Sequence, residues 1–294
     1  DSIELIKDTI NMGLNVSIET NGTMITESQI KELSQYKDNL SMSISLDGIT
    51  SETNNLTRGN GSFEKTFNTI KTIKKYNIPL RIITVLSDNN YDEIPKLAKT
   101  IHEELGLGFR LLPNIIEYGK GVTANDEYGV SYPKIKKLMD DFYYDFLRKH
   151  AEDENLTIEL NMAIIPIDIY RHSFCPWGKA MLGIGSSGNV ALCHVASDND
   201  MFIFDNVKNN KISDIWKYNK KLLKFVNENP DDLKGVCGNC LARSLCRGGC
   251  RLHAMSKYLG DFYAPDPDCQ KVYDIGMFPE YALDDVEKVC NYEK

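Results

Sequence analysis

The most reactive side chains in this chain of 294 residues are eight cysteines, and none of them precedes residue 175. Four lie close together in the run Cys237-x2-Cys240-x5-Cys246-x3-Cys250. The two-residue gap of C-x-x-C lets both sulfurs reach one metal, and Gly248 permits the tight backbone that such loops require. The spacing therefore predicts a metal site, and it leaves zinc and an iron–sulfur cluster equally open.

The other four cysteines are Cys175, Cys193, Cys269 and Cys290. An even number of cysteines could pair as disulfides in a secreted protein. The first 174 residues, however, contain no cysteine and are typical of a cytosolic α/β domain. In a reducing compartment clustered cysteines are more often metal ligands than disulfides, so we expect ligands here.

Strands and helices alternate through the first part of the chain. The strand candidates are Leu14–Glu19, Leu40–Leu46, Leu80–Leu86 and Gly108–Leu112, and helical patterns such as Ser62–Tyr76 lie between them. This alternation at intervals of roughly 25–30 residues predicts βαβ crossovers, a parallel sheet and an α/β fold, either doubly wound or a barrel.

The strand candidate Leu40–Leu46 helps to choose between these folds, because leucine, methionine and isoleucine alternate in it with three serines. A central strand of a doubly wound sheet should be apolar on both faces, whereas a barrel that holds a cofactor could carry small polar groups inside. An edge strand with one wet face is the alternative. Since four strands cannot close a barrel, we predict a partial one.

The chain changes character after the fourth strand candidate. Residues 114–135 are predicted to be irregular, and a helix is predicted from Tyr132 to about His150. After about Phe174 cysteines and glycines appear and the β/α alternation stops. We therefore predict a partial barrel over 1–120, a bridging helical segment over 121–172 and a cysteine-rich domain over 173–294.

The charge balance of 34 basic and 42 acidic side chains, a net charge of −8, argues against a nucleic-acid or anionic-membrane partner. No apolar run approaches the roughly 18 residues of a spanning helix, and no signal peptide is present, so we expect a cytoplasmic protein. The chain begins at Asp1 rather than at methionine, and we expect a fragment.

A wider cysteine pattern extends the compact run. Cys175-x12-Gly188-x4-Cys193 precedes it and Cys269 follows it. This order resembles the signature of the SPASM domain, with all seven of its cysteines. The resemblance implies two auxiliary [4Fe–4S] clusters, as in radical S-adenosylmethionine (SAM) enzymes that modify peptides and proteins.

The front of the chain supports the same resemblance. The strings at 18–23 (IETNGT), 44–48 (ISLDG) and 58–63 (RGNGSF) resemble the third and fourth segments of a radical SAM barrel. The resemblance runs from about Ile3 to Cys269 and implies a partial (β/α) radical SAM barrel followed by a small SPASM domain. The C-x3-C-x2-C motif of the SAM-cleaving cluster is absent, so we expect truncation, a third cluster in the intact protein and an inactive fragment.

The resemblance also implies how the ligands divide. One cluster would be held by Cys237, Cys240, Cys246 and Cys269, and the other by Cys175, Cys193 and Cys250. Cys290, a water, another side chain or an open iron could complete the second cluster. Spacing alone would instead assign the four cysteines of the compact run to one metal.

Other site residues are implied as well. Asn21, Ser45 and Arg58 are candidates for lining the SAM pocket, although a turn asparagine, a half-wet strand serine and a surface arginine are the local alternatives. His194 stands where the anaerobic sulfatase maturases, which this chain resembles in outline, have an aspartate proposed to accept the substrate proton. A neutral histidine could also accept one.

For two further histidines and two tryptophans the sequence predicts structural roles only. His172 and His253 are expected at the surface, and Trp177 and Trp216 are expected to pack.

The function that follows from the resemblance is a radical SAM/SPASM maturase. It would abstract hydrogen from a ribosomally made precursor peptide and form a thioether or another crosslink. Flavodoxin or ferredoxin would donate electrons, and the auxiliary clusters would transfer an electron or bind the substrate. The alternatives are a formylglycine-forming sulfatase maturase, a scaffold that only carries electrons or binds a peptide, and a zinc-binding module.

Overall fold

The computed structural model describes residues 2–113, 115–150, 152–158 and 175–284. The chain divides into two compact units. The first, the sheet unit, contains the described residues up to 115 and from 121 to 158. The second, the cysteine unit, contains 116–120 and 175–284. The predicted limits at 1–120, 121–172 and 173–294 stay a prediction.

The sheet unit contains five parallel strands that pair in chain order. They are β1 (Val16–Thr20), β2 (Leu40–Ser45), β3 (Leu80–Val85), β4 (Gly108–Leu112) and β5 (Leu156–Ile158). A doubly wound sheet changes its winding direction at a switch point, and this strand order has none. The structure thus confirms the α/β fold and the partial (β/α) barrel.

Helices connect these strands. They are α1 (Ser2–Asn11), α2 (Glu27–Leu33), α3 (Ser51–Arg58), α4 (Ser62–Lys75), α5 (Ile94–Lys99), α6 (Lys120–Tyr128) and α7 (Tyr132–Phe142). A capping box formed by Thr26 and Gln29 stabilises the N-terminus of α2. The Thr26 hydroxyl accepts a hydrogen bond from the Gln29 backbone N–H, and the Gln29 side chain accepts one from the Thr26 N–H.

The two faces of the sheet differ in polarity, as the serine alternation in β2 predicted. Leu40, Met42 and Ile44 are at most 2% exposed. The serines between them face the other side, where the register aligns Ser43 with Glu19 of β1 and Arg81 of β3. One face of the sheet is therefore packed and apolar, and the other is polar.

An ion pair on the polar face shows that the sheet curves. Nη1 of Arg110 on β4 lies 3.2 Å from Oε1 of Glu19 on β1. With β2 and β3 between them, the two strands would be roughly 14 Å apart in a flat sheet. A sheet that bends toward its polar face, as the wall of a barrel does, brings these two side chains within reach of each other.

Two elements depart from the sequence prediction. The segment predicted to be irregular contains α6, and β5 is an additional strand. No residue of α6 is buried, so the segment carries no apolar stripe that a periodicity argument could detect. Strand β5 has three residues, too few to show alternation. The helix predicted to end near His150 is α-helical to Phe142 and continues as a π-helical turn over Tyr143–Leu147.

The cysteine unit combines a small antiparallel sheet with short helices. The strands are β6 (Gly183–Ile184), β7 (Asn189–Ala191) and β8 (Ile203–Asn206), and the helices are α8 (Ile212–Tyr218), α9 (Lys220–Val226), α10 (Gly235–Gly238), α11 (Arg243–Cys246), α12 (Arg251–Lys257) and α13 (Pro267–Asp274). Its core includes Trp177, Val190, Phe202 and Leu252, and Cys193 and Cys250 pack against it. Among the described residues, no helix has the length and apolar character needed to cross a bilayer.

Candidate metal centre

A hairpin places Cys193 in the cysteine unit. Gly188 forms the turn between β6 and β7 with φ of 91°, a left-handed conformation that favours glycine, and its N–H donates to the Gly185 carbonyl at 2.9 Å. Strand β7 then ends two residues before Cys193. The glycine of the G-x4-C spacing is therefore the turn that brings this cysteine back to the core.

Three cysteines of the second half of the unit lie on short helices. Cys237 is in α10, Cys246 ends α11 and Cys269 is in α13. Asp266 caps α13, because its Oδ1 accepts hydrogen bonds from the N–H groups of Asp268 and Cys269 at 3.1 and 3.0 Å. The cap fixes the first turn of the helix, and with it the position of Cys269.

The loop between Cys246 and Cys250 is wound tightly around two buried charged groups. Gly248 and Gly249 have φ values of 77° and 66°. A Cβ at Gly248 would collide with the Arg251 guanidinium, and one at Gly249 with the Asp266 carboxylate. Both glycines are therefore required by the backbone conformation and by the close approach of these side chains.

The thiols are withdrawn from water to different degrees. Cys237, Cys240 and Cys269 are buried, Cys193, Cys246 and Cys250 are half-buried, and Cys175 is exposed. Burial raises the pKa of Cys246 to about 11 and that of Cys250 to about 11. Burial likewise raises the pKa values of Cys237, Cys240 and Cys269. Without a metal these thiols are protonated at neutral pH.

The thiols form two electrostatic neighbourhoods. After burial and the nearby carboxylates, the thiols of Cys175 and Cys193 raise the pKa of Cys250. In the same way Cys237 and Cys246 raise the pKa of Cys269, and Cys240 raises that of Cys246. We call Cys237, Cys240, Cys246 and Cys269 the compact set, and Cys175, Cys193 and Cys250 the split set. Among the described residues, no three His, Cys, Asp or Glu side chains converge on the single point that one ion would occupy.

Backbone N–H groups point at several of these sulfurs. The Asp266 N–H lies 3.3 Å from Sγ of Cys237 and donates to it. The N–H groups of Ala242, Gly249 and His253 donate to Cys240, Cys246 and Cys250 and partly offset the effect of burial on their pKa values. Such bonds stabilise a thiolate once a metal replaces the proton.

Unpaired nitrogens near the cysteines fit a sulfur-rich group. In the described part of the chain, Nε of Arg251, Nε1 of Trp177 and Nε2 of His253 are buried and have no hydrogen-bond partner. Each belongs to a residue within three positions of Cys175 or Cys250. Buried indole and guanidinium N–H groups without acceptors are rare in folded proteins, so those of Trp177 and Arg251 fit an acceptor-rich cluster, and the unpaired imidazole nitrogen of His253 can donate to one as well.

The histidine predictions have mixed outcomes. The prediction that His253 lies at the surface is wrong, since it is 2% exposed on α12, and its burial lowers its pKa. His194 is exposed beside Cys193, and its backbone carbonyl accepts a hydrogen bond from the Ser197 hydroxyl at 2.8 Å. His172 and Cys290 lie outside the described residues.

The three candidates for the SAM pocket lie in the sheet unit. Asn21 and Ser45 stand at or just after the carboxyl ends of β1 and β2. Oδ1 of Asn21 accepts hydrogen bonds from the backbone N–H and the hydroxyl of Thr23, at 3.1 and 3.0 Å. Ser45 is half-buried. A role for these residues toward SAM stays a prediction.

Arg58 is held by a carboxylate that sequence reasoning did not assign to it. Its Nε lies 2.5 Å from Oδ2 of Asp47, and its Nη2 lies 3.1 Å from Oδ1. Asp47 is 4% exposed and also accepts a hydrogen bond from the Val85 N–H at 3.0 Å. The bidentate pair fixes the end of α3 next to the carboxyl ends of β2 and β3. An aspartate directly after a strand was the available signal.

Two family models match the chain. The model of the radical SAM superfamily matches residues 1–101, and the model of the SPASM iron–sulfur cluster-binding domain matches residues 175–241. The second match ends before Cys246, Cys250 and Cys269. The assignment of these three residues therefore rests on their spacing and on the geometry described above.

Several curated proteins resemble the chain over most of its length. An AdoMet-dependent heme synthase of Methanosarcina barkeri is 26% identical and matches 92% of this chain and 78% of its own. A PqqA peptide cyclase of Rhizobium meliloti is 26% identical over 92% of this chain and 70% of its own. The mycofactocin maturase MftC of Mycobacterium tuberculosis is 26% identical over 92% and 67%.

Solved structures share the fold. Native anSMEcpe with bound AdoMet superposes with a TM-score of 0.65 at 20% identity, over 92% of this chain and 75% of that one. SuiB of Streptococcus suis bound to S-adenosylmethionine gives a TM-score of 0.68 at 17% identity, over 91% and 62%. At these identities the likeness concerns the fold.

These matches, the parallel sheet and the cysteine unit together define the class of the protein. The chain contains a domain of the radical SAM superfamily followed by a SPASM iron–sulfur cluster-binding domain. Domains of these two families bind [4Fe–4S] clusters, and the structural neighbours bind AdoMet.

Proposed function

We propose that the protein is a radical SAM/SPASM maturase that modifies a ribosomally made precursor peptide by hydrogen abstraction and leaves a thioether or another crosslink. Relatives named as a PqqA peptide cyclase and a mycofactocin maturase support a peptide substrate. A structural neighbour, SuiB, has been solved with its precursor peptide SuiA. When the complete cofactor set is bound, reductive cleavage of SAM supplies the radical that abstracts the hydrogen.

The compact set would hold one auxiliary [4Fe–4S] cluster, and the split set would hold the other. Tetrathiolate ligation suits the compact set, which supplies four cysteines. The split set supplies three, so its fourth ligand is Cys290, a non-cysteine side chain, water or substrate. The observation that carries this assignment is that Cys193 and Cys250 pack against the same core, where Cys250 also interacts electrostatically with Cys175 and Cys193.

His194 would serve the substrate, and the polar rim of the sheet unit would serve SAM. An exposed imidazole next to Cys193 can accept a proton from a substrate bound near the split set. Asn21, Ser45 and Arg58 would border the SAM pocket, with Arg58 oriented by Asp47 rather than free to move. Formylglycine formation stays the alternative, disfavoured because His194 stands where the anaerobic sulfatase maturases have an aspartate.

The metal assignment can be tested on this chain. Anaerobic reconstitution with iron and sulfide should yield about eight irons per molecule and brown protein, because two cubane sites hold four irons each. Stoichiometric zinc without acid-labile sulfide would contradict it. Residues 1–294 contain no C-x3-C-x2-C motif, so the two auxiliary clusters can be counted without a third.

The reaction requires a longer chain that includes that motif. It should be incubated with SAM, dithionite and the small peptides encoded beside its gene. We expect 5′-deoxyadenosine together with a peptide that has lost two hydrogen atoms for each crosslink. Turnover of SAM with an unchanged set of peptides would contradict the maturase assignment.

A tetrapyrrole substrate is the second candidate, because a relative with 26% identity is named AdoMet-dependent heme synthase and one with 23% identity is named pre-heme d1 synthase. The same assay should therefore include a porphyrin precursor in place of the peptide. We further propose a cytoplasmic location, flavodoxin or ferredoxin as electron donor, and no nucleic-acid or membrane partner. The net charge of −8 supports the absence of a nucleic-acid or membrane partner.

A further inference from the structure

Of the three buried nitrogens in the cysteine unit that have no hydrogen-bond partner in the described residues, two always carry a hydrogen, namely Nε1 of Trp177 and Nε of Arg251. Trp177 is 3% exposed and Arg251 is 1% exposed. Both groups are obligate donors, because an indole N–H and a guanidinium N–H have no acceptor capacity. An orphan donor at such depth destabilises the fold unless an acceptor reaches it.

Trp177 belongs to the neighbourhood of the split set. It lies two residues after Cys175, and it shares one packed cluster with Cys193 and Cys250. The Arg247 guanidinium lies 3.9 Å from its ring centroid, which fixes the indole from one face. The backbone N–H of Gly178 donates to the Met181 carbonyl at 3.0 Å, so the loop that carries the indole is also fixed.

Arg251 belongs to the neighbourhood of the compact set. Its Nη1 donates to the carbonyls of Phe262 and Ala264, both at 2.8 Å, and its Nη2 donates to the Gly248 carbonyl. The guanidinium also acts on Cys237 and Cys246, where it opposes the effect of burial on the thiol pKa values. Because both terminal nitrogens form hydrogen bonds, the guanidinium plane is fixed, and with it the direction in which the Nε–H group points.

The hydrogen-bond acceptors of Arg251 in the described part of the chain are carbonyls, and the buried Asp266 carboxylate supplies a nearby opposite charge. These groups leave Nε without an acceptor. An iron–sulfur cluster with cysteine thiolates carries net negative charge, and its sulfurs accept hydrogen bonds. Such a cluster would supply the missing acceptor.

We propose that Trp177 and Arg251 are dedicated hydrogen-bond donors to two different clusters, Trp177 to the sulfurs at the split set and Arg251 to the sulfurs at the compact set, and that they set the two reduction potentials independently. The inference rests on the ligand sets proposed above. Reduction adds negative charge to the sulfurs, so an N–H donor stabilises the reduced form and raises the potential. The cationic donor has the larger effect.

The variant Trp177→Phe tests this inference, since it keeps the aromatic body and removes the N–H group. Trp216→Phe is the matched control, because Trp216 is a half-buried tryptophan on α8 of the same unit. Both are measured by redox titration with electron paramagnetic resonance of the reconstituted chain, alone and combined with Cys240→Ala. The cysteine variant leaves only the signal of the split set.

We expect Trp177→Phe to shift the signal that survives Cys240→Ala to a more negative potential, while Trp216→Phe shifts neither signal. Arg251→Lys keeps the charge and removes Nε, and it should shift only the other signal. Unchanged potentials in Trp177→Phe, with about eight irons still bound, would overturn the inference and leave the proposed ligands standing. A wild-type chain without iron and sulfide would overturn both.

Discussion

The compact set and the split set lie side by side in one unit but are organised differently. Short helices carry most of the compact set, and three of its four thiols are buried. The cysteines of the split set lie in three separate places: Cys175 in a loop, Cys193 just after the β6–β7 hairpin and Cys250 directly before α12. The thiol of Cys175 is exposed. The compact set is therefore preorganised, whereas the split set depends on chain segments that are far apart in sequence.

The loop from Cys246 to Cys250 separates the two sets, although its ends are only four positions apart. Its two left-handed glycines turn the backbone around Arg251 and Asp266, so the thiols at its two ends have different neighbours. We therefore expect Cys250 to share a site with Cys175 and Cys193 rather than with its nearer neighbours in sequence, because the conformation of this loop turns its two ends apart.

Cysteine substitutions should give the largest effect and can break this comparison directly. Cys240→Ala and Cys269→Ala should each remove one cluster, about four of eight irons, and the same paramagnetic signal. Cys193→Ala and Cys250→Ala should each remove the other signal. If Cys250→Ala and Cys240→Ala abolish the same signal and spare the other, the division into a compact and a split set is wrong.

Alkaline pH should destabilise the metal-free cysteine unit. The thiols of Cys246 and Cys250 have pKa values of about 11 in the folded unit, against an ordinary value of 9.0. Between these pH values the unfolded chain loses protons that the folded unit keeps, so the free energy of unfolding falls as pH rises from 9 to 11. A shift of this size corresponds to a few kcal/mol at most, since one pKa unit is about 1.4 kcal/mol.

Thermal melts of the metal-free chain across that range would measure the slope. The same melts of the double variant Cys246→Ala, Cys250→Ala are the control. Tyrosines and lysines titrate in the same range in both proteins, so their contributions cancel in the comparison. The stability of the double variant should fall less steeply with pH than that of the wild type. Equal slopes in both proteins would contradict the buried-thiol explanation. Metal loading should show the opposite trend and improve with pH, because the ligands must lose their protons.

Removal of the Asp266 cap should weaken the compact set more than the split set. Asp266→Ala leaves the N–H groups of Asp268 and Cys269 without their acceptor at a buried helix start, which should cost about 2 kcal/mol. Asp266→Asn keeps an acceptor oxygen and is the matched control. Iron retained during dialysis against a chelator should fall for the compact-set signal in Asp266→Ala. Equal losses from both signals would argue against a local role.

The smallest effect is expected at Glu117, which connects the helices of the two sets. It lies 2.8 Å from the ammonium of Lys257 on α12 and 2.5 Å from that of Lys271 on α13. Burial alone would raise its pKa, but the hydrogen bonds from these lysines outweigh burial and lower the pKa to about 2. Glu117→Gln should cost about 1 kcal/mol near neutral pH, because both lysines are half exposed.

The pH dependence of that loss identifies its cause. The folded-state pKa is depressed, so the contribution is present above the ordinary value near 4.5 and disappears as pH falls toward 2. Chemical denaturation of wild type and Glu117→Gln should therefore converge in acid. Glu280→Gln, which neutralises another carboxylate of the unit, is the control. A constant difference at all pH values would indicate lost packing rather than lost charge.

Sequence reasoning predicted the sheet better than the site. The serines of β2 alternate with buried residues, and that pattern, together with the β/α alternation and the number of strands, predicted a partial barrel with small polar groups inside. Strand β5 and helix α6 were missed because one is too short and the other buries nothing. The neighbours of Arg58 and His253 were missed, because Asp47 and Asp268 approach them through the fold rather than through local spacing.

The five residues Ile116–Lys120 belong to the cysteine unit although the chain returns to the sheet unit after them. Glu117 pairs with α12 and α13, and Tyr118 packs against the core that contains Trp177. A cysteine-rich fragment that begins at residue 173 would therefore lack residues 116–120, which pack against its core and its helices. Recombination that exchanges this module between proteins must carry two separate stretches of chain, so successful chimaeras should join upstream of residue 116.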